Sequence, residues 1–193
     1  MKVNKKYKGL VTKKFNEFFR VELNLKENFD SNKKFLCKIR KSVNFKNQLV
    51  FVGDEVIISQ IDLKSKRATI ESLVKRNNLL ERPSVANISN IYVIFSVEEP
   101  KLNLSQVNRF LISAEQLGVE VSLVLTKCDL IAEQKRLFLI DKFQKWGYQV
   151  ITLNLNNPDN FKNLMIELRK KKCSIFMGPS GVGKTTLLNM IIP

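Results

Sequence analysis

The 193-residue sequence contains no histidine, which excludes any mechanism in this chain that needs an imidazole base or an imidazole metal ligand. Cysteine is scarce and odd in number. Cys37, Cys128 and Cys173 are scattered and make neither a disulfide framework nor a zinc cluster, a usage that fits a reducing compartment. No stretch approaches the roughly 18 apolar residues of a membrane span. The first eight residues, Met1 to Lys8, are basic with no apolar run behind them, so no signal peptide is read. The expectation is a cytoplasmic chain with no membrane partner. Acidic residues are also in deficit, 18 against 33 Lys and Arg, for a formal net charge of +15.

That excess is uneven. Residues 1–85 hold 20 basic and 9 acidic side chains, a balance of +11, and residues 86–193 hold 13 and 9, a balance of +4. Such a footprint suits a partner rich in phosphate, RNA or DNA; a Lys-rich surface that merely solvates the fold is the alternative. Within the basic part, Gly9 to Thr12, Phe18 to Leu23, Lys34 to Ile39, Val50 to Val52, Glu55 to Ile58 and Ala68 to Glu71 are β-branched or aromatic runs, several alternating with charge. These short strands predict a small antiparallel barrel over residues 1–72, of the oligonucleotide-binding (OB) kind. Tyr7, Phe15, Phe18 and Phe19 are either base-stacking residues or barrel core. Lys75 to Ser84 breaks the pattern and includes Pro83, the first proline of the chain; residues 73–87 are read as the linker.

Beyond the linker the period changes. Ile91 to Phe95 is a continuous apolar run, and Val107, Phe110, Leu111, Ala114 and Leu117 follow at helical spacing with Gly118 as the stop. Val119 to Leu125 is read as a strand. A helix from about Glu133 to Trp146 is expected to bury Leu137, Ile140 and Phe143 and to end at Gly147. The strand Gln149 to Leu153 comes next, then a helix opened by Pro158 with Phe161, Leu164, Met165 and Leu168 on one face, then the strand Ser174 to Met177. Strands alternating with helices at this spacing predict a parallel α/β sheet over residues 88–193, covered on both faces.

Two motifs carry chemistry. Gly178-Pro-Ser-Gly-Val-Gly-Lys-Thr185 has a glycine, four residues, then Gly-Lys-Thr, and it sits between a predicted strand and a predicted helix. Phosphates need a concave ring of backbone N–H donors, and Gly181 and Gly183 let the backbone curl that tightly. The helix starting near Lys184 adds unpaired N–H groups and the positive end of its dipole. Lys184 is expected to reach the β and γ phosphates of a nucleotide and the Thr185 hydroxyl to ligate Mg²⁺; these two are the candidate catalytic residues. The second motif, Thr126-Lys127-Cys128-Asp129, follows a strand end, where parallel sheets bind ligands. The Asp129 carboxylate matches the N1–H and N2 amino donors of guanine and mismatches adenine, while Lys127 lies along the base plane. An ATP-dependent phosphate-loop protein remains the reading if Asp129 is incidental. The base-reading motif stands 52 residues upstream of the phosphate loop, Thr126 against Gly178, the reverse of the usual order in guanine-nucleotide switch proteins. Because a parallel sheet gathers its site at the carboxyl ends of its strands, this order is that of a circular permutation.

With these residues the sequence resembles the circularly permuted small-ribosomal-subunit biogenesis GTPases (the RsgA, or YjeQ, family). The resemblance is carried by Gly53-Asp-Glu-Val56, Leu80 to Ile88, Asn108-Arg-Phe-Leu111, Thr126 to Leu130, and Gly178 to Thr186. It implies an N-terminal OB barrel on ribosomal RNA, a GTPase domain, a role in late maturation of the small subunit, GTP or GDP with Mg²⁺ as ligands, and a monomer. By position it assigns Thr126, Lys127, Cys128 and Asp129 to guanine. The phosphates fall to Gly178, Pro179, Ser180, Gly181, Val182, Gly183, Lys184, Thr185 and Thr186. Members of the family continue past the phosphate loop with two switch segments and a Cys/His zinc domain. This sequence ends at Pro193 and is read as a truncated chain without the zinc site, with the alternative that it is a non-hydrolysing RNA- and nucleotide-binding module. Asn154 to Asn156 stands where the family's second base-contacting segment falls. The truncated reading also predicts that Ile175 and Phe176 lie on an unpaired apolar sheet edge.

Overall fold

Alternation of apolar and polar residues builds the first half of the chain. The computed structural model describes residues 2–3, 5–23, 34–40, 49–154 and 161–191, which divide into two units, Met1–Asn87 and Ile88–Pro193. In the first, β1 (Lys2–Val3), β2 (Tyr7–Phe15), β3 (Phe18–Leu23), β4 (Lys34–Ile39), β5 (Glu55–Asp62) and β6 (Arg67–Leu73) form one sheet. Its order is β1-β5-β2-β3-β4-β6, and a further β5–β6 pairing closes the last five strands into a barrel. Every pair is antiparallel except β4–β6. A closed five-stranded barrel with this order is an OB-like barrel. Every second residue points inward, so Val11, Phe19, Val21, Phe35, Cys37, Val56, Ile58 and Ile70 make the core. Burial pushes the Cys37 thiol up to about 12. Of the four aromatics weighed from sequence, Phe19 is core, while Tyr7, Phe15 and Phe18 are half-buried.

Val50 to Val52 is not the strand its β-branched residues suggested. The Phe51 N–H donates to the Asp54 carboxylate at 2.7 Å, which takes it out of any ladder, and only Val52 makes a bridge, to Val85. Residues 73–87, read as the linker, contain a hairpin of β7 (Leu79–Glu81) and β8 (Ser84–Ala86). Gly53 and Asp54 hold it. Gly53 has φ +87°, and a Cβ there would stand 2.0 Å from the Ala86 carbonyl oxygen, so only glycine lets the hairpin approach. The Asp54 carboxylate, fully buried, accepts from Arg76 Nε at 2.6 Å and Nη2 at 2.7 Å.

In the second unit, β9 (Asn90–Ser96), β10 (Glu120–Thr126), β11 (Gln149–Leu153) and β12 (Ser174–Met177) form a parallel sheet in the order β11-β10-β9-β12. Among the described residues four α-helices accompany them: α1 (Leu104–Glu115), α2 (Glu133–Lys145), α3 (Phe161–Lys170) and α4 (Lys184–Ile191). The apolar run of β9 is buried along its whole length, as a strand covered on both faces must be. On one face Phe95 meets Phe110 of α1 edge-on at 5.6 Å. On the other, Tyr92, Ile94, Val124 and Leu153 pack with Phe161, Leu164, Val182 and Leu187. Asn103 caps α1 by accepting from the N–H groups of Ser105 and Gln106, and Gly118 and Gly147 take positive φ just past α1 and α2.

The phase of α2 differs from the sequence expectation. Leu139 and Phe143 are buried, whereas Leu137 is 56% exposed. Pro158 and the pair Leu155–Asn156 lie outside the described residues. β12 is an edge strand among the described residues, yet its side chains are better covered than expected. Ile175 is buried, and Phe176 packs edge-on against Tyr92 at 5.6 Å. Apolar exposure beside this edge comes from Leu188 of α4, which lines a hollow with Ser174 and Phe176. Among the described residues no helix is long and apolar enough to cross a membrane.

Two outcomes are expected. Asp54→Ala leaves the Arg76 guanidinium without its carboxylate and destabilises the first unit by about 3 kcal/mol; urea unfolding checks this, and a loss under about 1 kcal/mol contradicts the clamp. Leu188→Lys places a charge beside the unpaired edge and raises the soluble fraction on expression, which sedimentation of lysates measures.

Candidate functional site

The carboxyl ends of the parallel strands bring the two sequence motifs together. β10 ends at Thr126, whose side chain is fully buried. Its hydroxyl donates to the Val182 carbonyl at 2.8 Å, a bond across 56 residues of chain, and stands 3.4 Å from the Phe95 carbonyl. Lys127 turns the chain with a left-handed backbone, φ 56° and ψ 34°, into a short 3-10 turn at Cys128–Leu130. That turn is closed by the Leu130 N–H on the Lys127 carbonyl. Cys128 points into the core, its thiol donating to the Leu125 carbonyl at 3.3 Å, and burial pushes it up to about 11. Asp129, next in line, is exposed. Alternation at this turn therefore anchors Thr126 and Cys128 and presents Lys127 and Asp129.

The second loop leaves β12 at Met177. Gly178 has φ +149°, and a Cβ on it would lie 2.2 Å from the Ile94 carbonyl oxygen of β9. Gly181 and Gly183 have φ +80° and +90°, so three of the loop's residues hold backbone angles that suit glycine. Val182 packs its side chain into the core at 1% exposure, a mooring that leaves the backbone around it free to face solvent. α4 opens at Lys184, with Leu187 N–H to the Gly183 carbonyl as an early helical bond. The Lys184 ammonium folds over the loop and donates to the carbonyls of Gly178, at 2.8 Å, and Pro179. Partial burial holds it below the ordinary lysine range. Ser180, Thr185 and Thr186 are exposed.

The arrangement is a ring of backbone turned by glycine at a helix start, a cation curled over it, an exposed hydroxyl in Thr185 and an exposed carboxylate in Asp129. A polyphosphate and Mg²⁺ fit that donor set. Among the described residues no group of three His, Cys, Asp or Glu could hold a metal. Sequence reasoning missed the turn after β9, residues 97–102, which reaches both loops. Lys127 donates to the Glu99 carbonyl, and the Pro100 ring lies 3.5 Å from where a Cβ on Gly181 would stand. Its only sequence signal is its place at a strand's carboxyl end.

Comparison with known proteins gives the family and the fold. The family described as RsgA GTPase matches residues 55–193. A small ribosomal subunit biogenesis GTPase RsgA of Prochlorococcus marinus (strain NATL1A) is 37% identical over 195 residues, covering 97% of this chain and 62% of the relative. The protein of the same name from Parasynechococcus marenigrum (strain WH8102) is 34% identical over 160 residues, covering 83% of this chain and 54% of the relative. Among solved structures, YjeQ from Thermotoga maritima aligns with a TM-score of 0.83 at 28% identity, covering 98% of this chain and 66% of that one. YloQ, described as a circularly permuted GTPase, aligns at 0.82 and 25%, covering 96% and 64%. The chain thus spans about 62% of the length of the first of these relatives.

Thr126→Val keeps the shape of the side chain and removes the bond to Val182. It is expected to cost about 1–3 kcal/mol, because the Val182 carbonyl is left buried without its donor. Thermal unfolding measures this, and an unchanged midpoint contradicts the idea that this bond ties the two loops.

Proposed function

This chain belongs to the RsgA GTPase family, and from that premise we propose that it binds GTP and GDP and serves, as a GTPase, the late maturation of the small ribosomal subunit. The observation that carries the proposal is the bond from Thr126 to Val182. It brings a base-reading turn and a phosphate-binding loop, far apart in sequence, to one end of one sheet.

In this reading Asp129 accepts from the N1–H and N2 amino group of guanine, and the stem of Lys127 lies along the base. Thr126 and Cys128 act through the backbone that they anchor. Backbone N–H groups from Gly178 to Thr186, except at Pro179, which has none, surround the phosphates, with Val182 and Gly183 shaping the turn. Lys184 exchanges its two loop carbonyls for phosphate oxygens, trading neutral acceptors for charged ones and so gaining strength. Thr185 supplies a hydroxyl to Mg²⁺, which when bound neutralises charge gathering on the β and γ phosphates. Zinc belongs, in this reading, to a further domain of the longer relatives.

The barrel supports the RNA side of the proposal. Lys13 and Arg20 lie over the Phe15 ring at 5.2 and 5.5 Å, and Lys38 over Phe18 at 4.5 Å. Half-buried rings flanked by cations offer stacking surfaces with phosphate partners alongside. The +11 balance of residues 1–85 gives the field that draws a polyanion in. The partners proposed are the small subunit and its RNA, in the cytoplasm, met by this chain as a monomer.

Competition binding tests the reading. The unsubstituted chain is expected to prefer GDP over ADP by at least about tenfold, and Asp129→Asn to erase most of that preference while leaving affinity for tripolyphosphate nearly unchanged. Equal affinity for the two nucleotides in the unsubstituted chain contradicts the proposal.

A further inference from the structure

The turn that follows β9 belongs to neither motif, yet its backbone is bonded to the first and its Pro100 ring lies against the second. The Val97 N–H donates to the Thr126 carbonyl at 3.1 Å, and the Leu102 N–H returns to the Val97 carbonyl at 3.2 Å. The Ser96 hydroxyl, on a fully buried residue, donates to the Pro100 carbonyl at 2.7 Å. Glu98 pairs with Lys135 of α2 at 2.8 Å. Between these fixed points Glu99 takes a positive φ of 53°, and its carbonyl receives the Lys127 ammonium. Pro100 faces Gly181 of the phosphate loop.

We propose that this turn is a third wall of the nucleotide site and that Ser96 is a positioning residue, which holds Lys127 in place through the Glu99 carbonyl. The inference rests on the nucleotide reading above for its ligand but not for its geometry. A lysine stem lies flat against a base only when both ends are held, since four freely turning carbons otherwise sample many rotamers. One end is the left-handed backbone at Lys127. The other is the ammonium on Glu99. The peptide carrying that carbonyl is next to Pro100, whose own carbonyl is held by the buried Ser96 hydroxyl. Losing the hydroxyl leaves the Pro100 carbonyl without that donor, and the turn opens where Lys127 is tethered. Phosphate contacts come from another loop, which this turn meets through the Pro100 ring rather than through a hydrogen bond, so Ser96 acts chiefly on the base end of the ligand.

The experiment compares Ser96→Ala with the unsubstituted full chain. GDP affinity is expected to fall about three- to tenfold, the scale of one hydrogen bond, while affinity for tripolyphosphate stays within about twofold. In a Lys127→Met background the added loss from Ser96→Ala is expected to disappear, because the tether is already gone. Without any nucleotide, the Lys127 backbone amide resonance is expected to shift in Ser96→Ala. Equal losses for GDP and tripolyphosphate, losses that add in full with Lys127→Met, or an unmoved Lys127 amide overturn the proposal. Ser96→Cys, which keeps the volume with a far weaker donor, carries the same expectations should the alanine variant not fold. Failure of the unsubstituted chain to bind GDP sinks the nucleotide reading instead, and the amide shift then decides the Ser96–Lys127 coupling by itself.

Discussion

A single buried hydroxyl, that of Thr126, decides how the second unit is organised for function. Parallel strands end side by side, but strand order alone leaves the loops beyond them free to splay. The Thr126 bond to Val182 removes that freedom, because breaking it strands a carbonyl away from water. With Val182 moored in the core and Thr126 at the end of β10, the residues on either side, Lys127 and Asp129 in one loop and Gly181 and Gly183 in the other, are carried to a common rim. Circular permutation is tolerated for the same reason. The site depends on which strand ends adjoin, and β10, β9 and β12 adjoin whatever the order in which the chain visits them.

Glycine placement is the second constraint, and it works by close approach as much as by backbone angle. Gly178 must pass within van der Waals reach of the Ile94 carbonyl for β12 to pair with β9 and then turn at once into the loop. Gly53 does the same in the first unit, where the Ala86 carbonyl occupies the space a side chain would need. In both places a neighbouring polar group completes the job: the Lys184 ammonium caps the loop's own carbonyls, and the Asp54 carboxylate ties down Arg76. The charge on each is held by partners that the fold itself supplies.

Much of this was legible from the residues, and the exceptions have physical causes. The glycine-turned loop between β12 and α4 could be read because its backbone path admits few sequences, and the barrel because alternation with period two survives in β3 and β4, whose bounds match the reading residue for residue. The α2 helix was misphased because Leu137, Phe138, Leu139 and Ile140 are consecutive apolar residues. Several helical faces fit such a run, and only packing against the sheet selects Leu139 and Phe143. Val50 to Val52 has strand-forming side chains, but the Asp54 carboxylate competes for the Phe51 N–H and wins. The turn after β9 was invisible as a site element because the contact that holds Lys127 is made by a backbone carbonyl, that of Glu99, which any sequence possesses.

The central claim is that both loops close on one nucleotide. Titration of the isotopically labelled chain with GDP, followed by amide resonances, tests it most directly. The account predicts that amides of Lys127 to Leu130 and of Gly181 to Thr185 respond together, saturate at one equivalent and yield a single dissociation constant. A response confined to one loop, or two loops saturating at different concentrations, contradicts it.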